Sequence, residues 1–120
     1  KVLYVCKYFM ARGHWQVMNK DEAGTQDYGD VECIPVEKAP EEVVRTALKA
    51  ANLIGDGLYG VDLKFQDRAY IIEINDNPSI DGDCEDEILG AKLYQIIMED
   101  ILRRVQLRAQ GKHSYQMEGW

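Results

Sequence analysis

The stretch GVDLKFQDRAYIIEINDNPSIDGD, residues 60–83, decides how the rest of the chain is read. Residues 58–65 and 69–75 are rich in β-branched and aromatic side chains and read as two strands joined at Gln66-Asp67-Arg68. A two-residue turn at Gln66-Asp67 sets Asp62 opposite Ile71. Side chains alternate along a strand, so Asp62, Ile71, Glu73 and Asn75 then share a face, with Asp62 and Glu73 diagonal neighbours. A four-residue loop keeps this parity. A three-residue loop breaks it unless a bulge restores it.

Two carboxylates side by side repel, and each is costly to bury alone. A hard divalent cation resolves both problems, and Asn75 adds a neutral carbonyl oxygen. Magnesium takes one or two carboxylates, keeps some waters and completes its shell with substrate phosphates. An oxygen-only ligand set favours Mg2+ or Mn2+ over zinc or copper. The plainer alternative is a pair of solvated face residues. Against it, Glu73 sits in the otherwise apolar run Tyr70-Ile71-Ile72-Glu73-Ile74-Asn75.

Upstream, residues 2–10 (VLYVCKYFM) predict a mostly buried strand. Residues 11–32 are polar and glycine-punctuated, a long loop with a short strand near 15–18, and a short extended piece follows around 33–36. Pro40-Glu41-Glu42 opens a helix whose stripe is Val43, Val44, Ala47, Leu48, Ala51 and Ile54, with Gly55 as its stop. Downstream, an acidic loop leads into a helix over 87–108, with Leu89, Leu93, Ile97, Ile101 and Val105 on its buried face, broadened by Ile96 and Leu102. Residues 109–120 carry no pattern and read as a flexible tail. The whole is an α+β domain over 1–108: an antiparallel sheet backed by two helices.

Composition narrows the function. The 120 residues fit one domain, and the net charge of −7 argues against a nucleic-acid partner. Asp76, Asp81, Asp83, Glu85, Asp86 and Glu87 crowd one short stretch. Cys6, Cys33 and Cys84 are odd in number and widely spaced, and His14 and His113 are far apart, so no zinc site is predicted. Reduced thiols and a cytoplasmic location are the expectation. No apolar run approaches the ~20 residues that span a bilayer, so no membrane partner is predicted. The start Lys1-Val2-Leu3-Tyr4-Val5, already strand-like, reads as a truncation.

Gly60-Val61-Asp62, then Ile72-Glu73-Ile74-Asn75, then Asn77-Pro78, resembles the metal-binding signature of the ATP-grasp superfamily. The wider match is to RimK-type ATP-grasp ligases, and within that group CKYFMARGHWQ at 6–16, AANLIGDGLYGVDLK at 50–64 and EINDNPSID at 73–81 look most like the subfamily that carries an extra RimK-like N-terminal region. The similarity runs from residue 1 to about 108. It implies the C-terminal subdomain of an ATP-grasp fold, part of an ATP-dependent ligase that joins an amine such as glutamate to a carboxylate through an acylphosphate. Asp62, Glu73 and Asn75 are then the ligands of Mg2+ (or Mn2+) bridging the phosphates of ATP. By the same resemblance Ile72 lies against adenine, where the alternative is a plain core residue. Lys7 aims at the terminal phosphate, where the alternative is a solvated edge lysine.

Residues 12–16, Arg-Gly-His-Trp-Gln, fall where RimK has Gly-Asp-Phe-Arg, so the terminal arginine of that motif is lacking. His14 and Trp15 either line the acceptor site or simply pack. The N-terminal subdomain that supplies the adenine hinge and phosphate lysines is absent from the sequence. This half alone is expected to bind nucleotide weakly and catalyse nothing. Gly55–Gly60 lacks the Lys-Ser/Thr of a P-loop.

Three other readings stand beside the ligase. An EF-hand centred on Gly82 fails, because its twelfth position falls on Ile88 where a bidentate Glu is required. An acidic interaction or divalent-cation module without catalysis is the second. The third is that another chain supplies the missing half, in which case exposed apolar surface drives oligomerisation.

Overall fold

A computed structural model of the chain describes residues 1–10, 18–20, 26–82 and 85–112. Expectations at His14, Trp15, Cys84 and residues 113–120 lie outside the described residues. The elements are β1 (Val5–Tyr8), β2 (Met18–Lys20), β3 (Gln26–Tyr28), β4 (Val31–Ile34), α1 (Glu41–Ile54), β5 (Gly60–Phe65), β6 (Ala69–Asn75) and α2 (Ala91–Ala109). The fold is α+β, and the pairing is antiparallel throughout. Among the described residues it is divided over three ladders, β1–β4, β2–β3 and β5–β6.

The β5–β6 hairpin is the part whose construction matters most. Phe65 pairs with Ala69, so the turn has three residues, Gln66-Asp67-Arg68, and not two. Side chains pin it: the Tyr70 hydroxyl donates to Asp67 Oδ1 at 3.2 Å, and the Arg68 guanidinium lies 4.8 Å from the Tyr70 ring centre. Counting back from such a turn, Lys64 meets Tyr70 and Leu63 meets Ile71. A regular ladder would next set Asp62 against Ile72, and Glu73 would turn to the side where α1 packs. Instead the register shifts between Asp62 and Leu63, Ile72 is left without a partner, and Asp62 pairs with Glu73. The expected opposition of Asp62 to Ile71 is therefore wrong. Ile71 shares the other face with Leu63, and the two acids are direct rather than diagonal neighbours.

That other face is covered by α1, which packs on both hairpin strands. Val61, Leu63, Ala69 and Ile74 are half-buried there. From α1, Val43 is buried and Val44, Ala47, Leu48 and Ala51 are half-buried, as the predicted stripe requires. Ile54 departs from it and is exposed at the last turn. The Pro40 carbonyl accepts the first helical amides, from Val43 at 3.0 Å and Val44 at 3.3 Å. Glu42 fastens helix to hairpin, its Oε1 accepting the Ala69 amide at 2.9 Å.

Strand β1 is shorter than the predicted 2–10. It extends only where β4 offers a partner, and its second half, Lys7 and Tyr8, is exposed rather than buried. Cys6 faces Cys33 across this ladder. Burial first, then Glu85, the two thiols and Tyr8, pushes the nearby Tyr4 phenol up to about 12.

The second helix starts at Ala91, four residues later than the sequence suggests. Gly90 takes φ 53°, a left-handed conformation that interrupts any helix running through it. The preceding residues fold on themselves: Asp81 N donates to Glu85 Oε2 (2.8 Å), Glu85 N to the Asp81 carbonyl (3.2 Å) and Gly90 N to the Asp86 carbonyl (2.6 Å). Apolar cover on α2 is concentrated in its first turns, with Leu107 half-buried farther on. Leu93 is fully buried and Ile96 and Ile97 are half-buried, whereas Ile101, Leu102 and Val105 are exposed. The predicted buried face is thus partnered over half its length.

Farther along α2, Arg103 grips the loop after α1. Its Nη2 donates to both Asp56 oxygens, at 2.7 and 2.8 Å, and with Nε it also holds Asp100. Burial raises the Asp100 pKa, but Arg103 and Arg104 more than offset this and hold its carboxyl below the usual value. A carboxyl held low contributes stability above its unfolded pKa, and that stability is lost as pH falls through the folded one. Arg103→Ala should therefore lower the melting temperature near neutral pH, and the deficit should narrow below about pH 4. Thermal melts of both proteins across that range check it; a deficit independent of pH would contradict the assignment.

Candidate metal centre

On the hairpin face away from α1, Asp62 and Glu73 stand directly opposite each other. Residues so placed have Cβ atoms about 4.5–5.5 Å apart, close enough for both carboxylates to reach one ion. Asn75 lies two residues beyond Glu73 on the same strand, so it points to the same face. All three side chains are exposed. The structure thus brings together the three residues read from the sequence as metal ligands.

Local chemistry holds the third member. Asn75 pairs with Gly60, whose missing side chain leaves room for Pro78; a Cβ at Gly60 would come within 3.2 Å of the Pro78 Cβ. Asn75 Oδ1 accepts the Asn77 amide at 2.9 Å, which closes a small turn at the end of β6 and fixes the amide plane. A carbonyl oxygen has a second lone pair, so this bond leaves Asn75 able to donate to a cation.

The two acids have no such support. Among the described residues neither the Asp62 nor the Glu73 carboxylate has a hydrogen-bond or ion-pair partner. Like charges directly opposite across a ladder destabilise it. Hard oxygen donors, two of them anionic, suit Mg2+ or Mn2+ with water or phosphate completing the shell. Among the described residues no three His, Cys, Asp or Glu side chains gather as a metal-binding group. The candidate set does not need such a cluster, since it combines two carboxylates and an amide.

Two other residues named from the sequence are placed differently. Ile72 is the extra residue of the bulge and is 62% exposed, so the plain-core alternative does not hold. It stands beside Glu73 as a bare apolar side chain. Lys7 belongs to the β1–β4 ladder, which no strand pairing joins to the hairpin among the described residues. Its ammonium lies 4.6 Å from the centre of the Phe9 ring, and its cross-strand neighbour is Glu32. The sequence places Glu42 at the opening of α1, but not its second role, in which its side chain ties the hairpin to that helix.

Among the described residues no helix is long and apolar enough to cross a membrane. No family of known proteins, no curated protein and no solved structure matches the chain.

If the two acids oppose each other without a cation, removing one charge relieves repulsion. In metal-free solution at low ionic strength, Asp62→Asn and Glu73→Gln should each raise stability by about 0.2–1 kcal/mol, with the gain shrinking as salt is added. Denaturant melts measure it, and a loss of stability in both variants would show that the carboxylates have partners.

Proposed function

We propose that this chain is the Mg-ATP-binding half of an ATP-dependent carboxylate–amine ligase of the ATP-grasp, RimK type, working through an acylphosphate. The observation that carries the reading is the opposition of Asp62 and Glu73, partnerless among the described residues, with Asn75 on the same face. The motif resemblance assigns these same three positions to the metal. The bulge adds a second support. It presents Ile72 as an exposed apolar surface next to the acids, suited to the face of a nucleobase.

In this reading the residues of the chain hold and orient. Asp62 and Glu73 supply negative charge on one side of the site, and Asn75, fixed by its bond to the Asn77 amide, supplies a neutral oxygen at a set angle. Asp62, Glu73 and Asn75 would hold a divalent ion, which when bound would supply charge neutralisation for the phosphates of the nucleotide. No nucleophile from the protein is called for, and none is assigned. Lys7 reaches a terminal phosphate only if the β1–β4 ladder and the hairpin close on the same nucleotide. The adenine hinge and further phosphate-binding lysines come from an N-terminal ATP-grasp subdomain, and the exposed apolar half of α2 is a surface available to a partner. In this reading the metal-binding half has no activity by itself, and the acceptor and amine substrates bind only in the completed clamp.

Paramagnetic broadening by Mn2+ tests this reading. Broadening should centre on the amides of residues 60–62 and 73–75 and strengthen when ATP is added. Asp62→Asn or Glu73→Gln should weaken it on the order of tenfold or more. Broadening confined to the acidic segment 81–87 and indifferent to ATP would instead support an acidic cation-binding or interaction module.

A further inference from the structure

The β1–β4 ladder carries a second pair of like residues, and its chemistry is independent of the ligase reading. Cys6 and Cys33 are 27 positions apart in sequence but directly opposite in register, with their Sγ atoms 2.8 Å apart. Both are half-buried thiols, reachable by a small reagent.

The ladder also places them at the closer of its two kinds of pair. The Phe9 amide donates to the Asp30 carbonyl at 2.8 Å, which makes Phe9 and Asp30 a hydrogen-bonded pair. Such pairs alternate along an antiparallel ladder. Tyr8/Val31 is then non-hydrogen-bonded, Lys7/Glu32 hydrogen-bonded and Cys6/Cys33 non-hydrogen-bonded. Residues at a non-hydrogen-bonded site have Cα atoms about 4.5 Å apart, within the span a disulfide bridges. No backbone movement is needed to join them.

We propose that Cys6 and Cys33 are a redox modification site that forms a reversible cross-strand disulfide with a low-molecular-weight disulfide, such as oxidised glutathione, as oxidant. One cysteine, as thiolate, attacks the oxidant's disulfide and releases a glutathione thiolate, leaving a mixed disulfide. The other then attacks the protein sulfur of that mixed disulfide and releases the second glutathione. The two cysteines lose two protons and two electrons, and the oxidant gains them as two thiols. The product staples β1 to β4 and closes the whole segment between them into a covalent loop. It thereby fixes the strand that carries Lys7.

The test uses the full chain, reduced and then treated with oxidised glutathione. Intact mass should fall by two hydrogens, and peptide mapping should join Cys6 to Cys33 while Cys84 stays alkylatable. A loop of this length should raise the melting temperature by roughly 10 °C or more. Dithiothreitol should reverse both changes. Cys84→Ser should keep them, whereas Cys6→Ser and Cys33→Ser should each abolish them while melting close to the reduced wild type. Separate glutathione adducts on Cys6 and Cys33, or linkages through Cys84 or between chains, with no rise in melting temperature, would overturn the proposal.

Discussion

The structure depends on keeping one carboxylate off an apolar surface. Helix α1 lies on one face of the β5–β6 hairpin, and a charged side chain pressed between them would lose its water without gaining a partner. The three-residue turn would send Glu73 to that face. One extra residue, Ile72, shifts the remainder of β6 and returns Glu73 to solvent. The bulge satisfies the apolar side, but it also sets Glu73 against Asp62. The repulsion that results is the charge arrangement a divalent cation relieves. Packing on one face of the hairpin and the opposed acids on the other therefore have the same cause.

Neighbouring features reinforce this arrangement. Glu42 ties the first turn of α1 to the amide of Ala69, just past the turn, so helix and hairpin keep a common reference. At the far end Gly60 gives Pro78 space to fold back, and the Asn75–Asn77 turn orients the amide oxygen. Outside this unit the chain is less self-sufficient. Val43 and Leu93 are the buried apolar residues among those described, and the second half of α2 leaves Leu102 and Val105 in solvent. A functional unit with so little interior gains stability when another surface covers it.

Much of the hairpin and α1 was legible in the sequence, because local signals specify them. Runs of β-branched and aromatic residues mark the strands, Pro40 and Gly55 bracket the helix, and the stripe from Val43 to Ala51 has a helical period. The bulge was not legible. Nothing near Ile72 announces it, and it follows from which face α1 covers, a tertiary fact. The sequence could state only that a three-residue turn needs a bulge to keep Asp62 with Glu73. The Cys6–Cys33 opposition is non-local in the same way, since it requires the register of two strands separated by a long segment. The late start of α2 came from a competition the periodicity conceals: Leu89 fits the stripe, but Gly90 turns left-handed while Asp81 and Glu85 bond to each other.

The central claim is a register, and cross-strand proton contacts in the metal-free chain measure it most directly. Contacts are expected between Asp62 and Glu73 and between Leu63 and Ile71, with Ile72 having no partner on β5. Contacts from Asp62 to Ile72 and from Val61 to Glu73 would mean an unbulged ladder with Glu73 turned toward α1. The proposed metal centre and the proposed function would then both fall.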